Sequence, residues 1–128
     1  HTYTGNPLAC AAALASLDVF EAERTLERLQ PKIELLWERL REIGAMPEVA
    51  EVRGLGFMVG IDLGEHDPAL RMGHRVVLEA RERGALVRPL GDTVVLVPQL
   101  AISEEELNRL LDIVAASITA AVALPQAV

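Results

Sequence analysis

Among the side chains able to do chemistry, Arg88 is singled out by its neighbours. It stands between Val87 and Pro89 in Gly84–Leu100, GALVRPLGDTVVLVPQL, a run otherwise built for burial. A buried guanidinium without a partner costs several kcal/mol, so this position calls for an anion. That anion is either a carboxylate of the protein or a ligand brought to it. A guanidinium grips a carboxylate through two parallel charge-assisted hydrogen bonds, each of about 1.5–3 kcal/mol. The second candidate is the opening stretch, where His1, Thr2, Tyr3 and Thr4 precede Gly5-Asn6-Pro7. Hydroxyls and free backbone N–H groups at a helix start can hold a phosphate, and the same groups can simply cap the helix. The other reactive types offer less. Cys10 lies on an alanine-rich face and reads as a small core residue. His66 and His74 have no second ligand at metal-binding spacing and read as solvent-facing. Lys32 is the sole lysine, and its place on the charged face of a helix makes it a poor nucleophile.

Positioning these groups requires several elements. Asn6-Pro7 marks a helix start, and Leu8–Phe20 is apolar almost all round, which predicts a buried helix. Glu23–Ile43 carries Leu26, Leu29, Ile33, Leu36, Trp37, Leu40 and Ile43 as a helical stripe, with Pro31 expected to kink or divide it. Val49–Arg53 and Phe57–Leu63 read as neighbouring strands separated by Gly54-Leu55-Gly56, and Ala69–Arg83 as a helix that Gly84 ends. Around Pro89, Gly91 and Asp92 the chain should turn, so that Arg88 ends one strand and Thr93–Val97 forms the next. Ser103 with Glu104–Glu106 is a capping box opening a last helix, and Leu124–Val128 is a plain tail. The order gives an α+β fold, a small, mainly antiparallel sheet covered by helices, in a single domain over residues 1–128.

Composition narrows the function. Hydrophobic residues make up 51% of the 128, ample for one core. The net charge of -7 argues against nucleic acid or an anionic membrane as partner, though one local arginine can still hold a small anion. A lone cysteine excludes an internal disulfide and points to a reducing, cytoplasmic setting.

His1–Leu17, HTYTGNPLACAAALASL, together with Val52–Ile61, VRGLGFMVGI, and Arg88–Gly91, RPLG, resembles the C-terminal part of class III, pyridoxal-phosphate-dependent aminotransferases. The resemblance implies the C-terminal small domain of a fold-type I aminotransferase, pyridoxal 5'-phosphate as cofactor, a small-molecule substrate and a homodimer. It also implies that Thr2 reaches the cofactor phosphate of the partner subunit, with His1 adjoining that contact, and that Arg88 holds the carboxylate of the keto substrate. The family's Schiff-base lysine lies upstream of the threonine, and Lys32 cannot replace it. The chain is therefore expected to be a fragment of a longer enzyme, carrying binding residues, no catalytic one, and inactive alone. Gln99 departs from the second proline usual after Pro98 in the branch that RPLGDTVVLVP points to. An ω-amino acid or ornithine-like substrate within the class remains open, as does a free-standing, non-catalytic binding or dimerisation module.

Overall fold

The computed structural model describes residues 4–123, so the expected tail beyond Ala123 lies outside the described residues. Contacts divide the chain into two compact units, His1–Lys32 and Ile33–Val128.

In the first unit Asn6 caps helix α1 (Pro7–Ala22), its Oδ1 accepting the Ala9 N–H at 3.1 Å, with Pro7 in the first turn as the sequence predicts. No residue of α1 is buried, and Leu8 is 82% exposed. The burial that the sequence predicts for this helix is not supplied by the described residues of this chain. A helix that is apolar all round carries no stripe to direct one face inward, and nothing in its own sequence seats it. Cys10 rides on it and is exposed as well, not a core residue.

Helix α2 (Thr25–Gly44) runs unbroken through Pro31, and the chain breaks earlier, at Arg24, whose φ is +51°. Pro31 removes the bond to the Glu27 carbonyl, but both residues are exposed and water can serve that carbonyl, so the helix continues. From Ile33 onward α2 belongs to the second unit, where Leu36, Leu40 and Ile43 of the stripe are buried.

The second unit holds four strands in the order β1-β2-β4-β3, every pair antiparallel: β1 (Glu51–Leu55), β2 (Met58–Asp62), β3 (Arg88–Leu90) and β4 (Thr93–Leu96). Alternation assigns the faces. Val59, Ile61, Val94 and Leu96 point into a core shared with Leu36, Leu40, Val76, Leu107, Leu111, Val114 and Ile118. Each such aliphatic side chain contributes about 1.5–3 kcal/mol on burial. The first strand begins two residues later than predicted, with Val49 buried ahead of it and the Ala50 N–H donating to the Asp62 carbonyl at 2.8 Å. Trp37 Nε1 donates to the Gly56 carbonyl at 3.0 Å, fixing the β1–β2 turn to α2.

The predicted helix over Ala69–Arg83 is two pieces, a single 3-10 turn (Pro68–Leu70) and helix α3 (Met72–Glu82), divided where Arg71 takes a φ of +48°. Buried Val76, Val77 and Ala80 make the inward face, as the periodicity predicts. The last helix, α4 (Glu104–Ala123), opens on the reciprocal cap read from sequence: Glu106 N–H donates to Ser103 Oγ at 3.1 Å and Ser103 N–H to Glu106 Oε2 at 2.9 Å. Arg39 of α2 ties to α4 through Asn108 at 2.7 Å and Asp112 at 2.5 Å. No helix among the described residues is long and apolar enough to cross a membrane.

Candidate functional site

Among the described residues of the second unit, its helices cover one face of the sheet and leave the other open. Its register places Arg53 opposite Gly60, Gly60 opposite Val95 and Val95 opposite Arg88. Directly opposed residues share a face, so the two arginines end one row across all four strands, about 14 Å apart at Cα by ordinary strand spacing. On this face lies a shallow hollow of about 420 Å³ lined by Arg53, Leu55, Met58, Gly60, Leu90, Val95 and Val97 among others, with Arg88 outside its lining.

Arg88 begins β3, whereas the sequence places it at a strand end, and all of β3 is exposed. The run around it therefore has two characters: β4 is core, while β3 is an edge strand, where Pro89 is admissible because an edge position need not donate to a ladder. Among the described residues Arg88 makes no hydrogen bond or ion pair with another side chain. Of the two partners its position allows, the internal carboxylate is absent from the described chain. The strand's approach to α3 is set by Gly73, where a Cβ would lie 2.2 Å from the Gly91 carbonyl oxygen, and by Asp92, whose Oδ1 accepts the Gly73 N–H at 3.2 Å. Gly91 supplies the positive φ, +59°, that the β3–β4 turn needs.

Arg53 is the opposite case. Its Nη1 donates to Glu51 Oε2 at 3.0 Å and to Asp62 Oδ2 at 2.9 Å, and its Nη2 reaches Thr93 Oγ1 at 3.5 Å. Asp62 is held further by the Gly64 N–H at 2.9 Å and the Thr93 hydroxyl at 3.3 Å. Arg53 above all, then the Gly64 N–H, lowers the Asp62 pKa from the usual carboxylate value, and the Asp62 bond in turn raises that of Arg53. Sequence reading passes over this cluster. Alternation marks Glu51, Arg53, Asp62 and Thr93 as outward, but only the register brings residues up to 42 positions apart together.

The chain's opening is described only from Thr4. His1 and Thr2, the expected phosphate contacts, lie outside the described residues. The stretch from Thr4 into the first helix suits an anion: Gly5 turns with a φ of +65°, and α1 has no acid in its first turn to occupy its positive end. His66 is half-buried with Nε2 on the Leu63 carbonyl at 3.0 Å, and His74 is half-buried too, so neither is freely solvent-facing. No group of three His, Cys, Asp or Glu that could hold a metal occurs among the described residues.

The chain as a whole has matches among known proteins. Residues 1–118 match the family described as Aminotransferase class-III, and the chain belongs to that family. It is 54% identical over 127 residues to the adenosylmethionine-8-amino-7-oxononanoate aminotransferase of Nitratidesulfovibrio vulgaris, covering 94% of this chain and 23% of that protein. The chain thus spans about a quarter of the length of the curated relatives it matches. The crystal structure of the enzyme of the same name from Methanocaldococcus jannaschii superposes with a TM-score of 0.89 at 42% identity, covering 94% of this chain and 29% of that one. A PMP-bound aminotransferase from Vibrio fluvialis gives a TM-score of 0.89 at 29% identity, over 96% of this chain and 29% of its own. The α+β architecture with its antiparallel sheet is the one these neighbours share.

Proposed function

We propose that the polypeptide carrying this chain transfers an amino group to 8-amino-7-oxononanoate, giving 7,8-diaminononanoate in biotin biosynthesis, and that residues 1–128 are its C-terminal domain. The amino donor in this reading is S-adenosylmethionine, the usual one in the family, or lysine, and the enzyme is a cytoplasmic homodimer. The single observation that carries it is an exposed Arg88 with no side-chain partner among the described residues, within a chain 54% identical to a relative of that name.

Arg88 binds the carboxylate of the keto substrate, and two parallel N–H···O bonds fix both distance and plane. A carboxylate held at one end places the distant carbonyl at a set reach from the sheet, which is the positioning that lets transfer proceed without a search for geometry. His1 and Thr2 hold the phosphate of pyridoxal 5'-phosphate bound to the partner subunit, ahead of the acid-free start of α1. When bound, the cofactor supplies the electron sink and carries the amino group between the two substrates. The Schiff-base lysine belongs to the polypeptide outside this chain, so residues 1–128 bind and orient but do not transaminate alone.

The test is Arg88→Ala in the full polypeptide, assayed with the keto acid at fixed donor. The expected result is a KM raised at least tenfold, about 1.4 kcal/mol of binding. An unchanged KM and kcat would sink the assignment of Arg88.

A further inference from the structure

The same open face carries two acids at strand positions, Glu51 and Asp62, and Arg53 engages both. Asp62 lies two strands over and two residues along from Arg88. That is about 12 Å between Cα atoms at ordinary sheet spacings, within the combined reach of a guanidinium and a carboxylate side chain. Released from Arg53, Asp62 could turn toward Arg88 and occupy the donors that a substrate needs. If it stayed in place, Glu51 and Asp62 without the Arg53 charge would make the face less attractive to an incoming acid. At this separation, beyond the Debye length of about 8 Å at physiological salt, exposed charges are largely screened, so pairing with Arg88 is the larger of the two effects.

We propose that Arg53 is a positioning residue for the anionic substrate: by holding Glu51 and Asp62 it keeps the acids of the open face from pairing with Arg88 and from repelling the carboxylate that Arg88 receives. The inference rests on the reading of Arg88 as the carboxylate grip. Thr93 supports the arrangement, since its hydroxyl donates to Asp62 Oδ2 at 3.3 Å while its Oγ1 lies 3.5 Å from Arg53 Nη2, closing a network of four side chains. Arg53 itself stands at the other end of the row from Arg88.

The experiment compares Arg53→Gln, Arg53→Lys, Asp62→Asn and the double variant Arg53→Gln/Asp62→Asn in the full polypeptide, alongside Arg88→Ala. Arg53→Gln is expected to raise the KM for the keto acid about fivefold, with kcat within about twofold. Arg53→Lys and the double variant should each return KM to within about twofold of the parent. A purely structural Arg53 would give a double variant no better than the single one, and that result overturns the proposal. Asp62→Asn keeps one oxygen to accept the Gly64 N–H, with the Thr93 hydroxyl turning to accept from the new amide, and provides the reading if Arg53→Gln does not fold: its KM should stay level or fall about twofold, and a rise overturns the proposal. If Arg88→Ala raises KM while Arg53→Gln does not, the positioning role fails and the grip stands. If Arg88→Ala has no effect, the grip fails and the positioning role falls with it.

Discussion

The two ends of the sheet's open row carry the same residue in opposite circumstances. At the β1 end Arg53 spends its donors on Glu51, Asp62 and Thr93, and the bond between Arg53 and Asp62 raises the pKa of the first and lowers that of the second. At the β3 end Arg88 has the same five donors and none taken by another side chain among the described residues. Residue type does not separate them, and neither does exposure, since both are on the solvent side of an edge strand. What separates them is the company on the neighbouring strand. Arg53 has acids two residues along its own strand and diagonally across on β2, whereas Arg88 faces Val95, with Leu90 next on its side. Charged neighbours tie Arg53 into the structure, whereas the apolar neighbours of Arg88 leave its donors without a side-chain partner among the described residues.

That contrast can be attacked from several sides. The largest effect is expected at Arg88: replacement by alanine should raise KM at least tenfold while the melting temperature moves by no more than about 1 °C, because no side-chain bond to the described residues is lost. A large drop in melting temperature would show that Arg88 has structural work after all. Gly73→Ala should come next. A methyl 2.2 Å from the Gly91 carbonyl must push the β3–β4 turn from α3, at a cost of about 1–3 kcal/mol in denaturant unfolding, with KM rising as Arg88 moves with its strand. A stability unchanged to within error would mean that the turn is not seated on α3.

Asp62 provides the pH arm of the comparison. Its folded pKa is lowered, so its contribution to stability is present above the unfolded carboxylate value, about pH 4, and is lost as pH falls through the folded value. Melting curves from pH 7 down to pH 2 should therefore show the parent falling toward Asp62→Asn, the gap between them closing below about pH 4. A gap that stays constant would remove the ion pair from the account. The smallest effect is the control at neither end: Ser103→Ala should cost about 1 kcal/mol through the lost helix cap and leave KM untouched.

Much of this architecture is legible in the amino-acid order, and the exceptions share a cause. The capping box at Ser103 and Glu106, the Asn6-Pro7 start and the turn at Gly91-Asp92 are local, each completed within four residues, and each is found where the sequence puts it. Arg88 is conspicuous for the same reason, since its immediate neighbours are apolar. The missing parts are non-local. The Arg53 cluster joins four residues on three strands, and no spacing rule reaches across two turns and a helix. The burial of a helix is non-local too. Helices α1 and α4 are both rich in alanine and aliphatics, yet α4 buries Leu107, Leu111, Val114, Ile118 and Ala121 along one stripe and α1 buries nothing. Composition suggests burial for both, and only a one-sided pattern delivers it within this chain. Breaks are hard to read as well: Pro31 is tolerated where its carbonyl partner is wet, while Arg24 and Arg71 take left-handed conformations that no arginine advertises.

Pro89 sits in the middle of a three-residue border strand. A backbone nitrogen without hydrogen cannot offer itself to a passing extended segment, and a border so short gives such a segment little to zip along. The guanidinium next to it thus keeps its access to solvent because its own strand is a poor template for polymerisation, so the residue that shortens the sheet's margin also guards the door to Arg88.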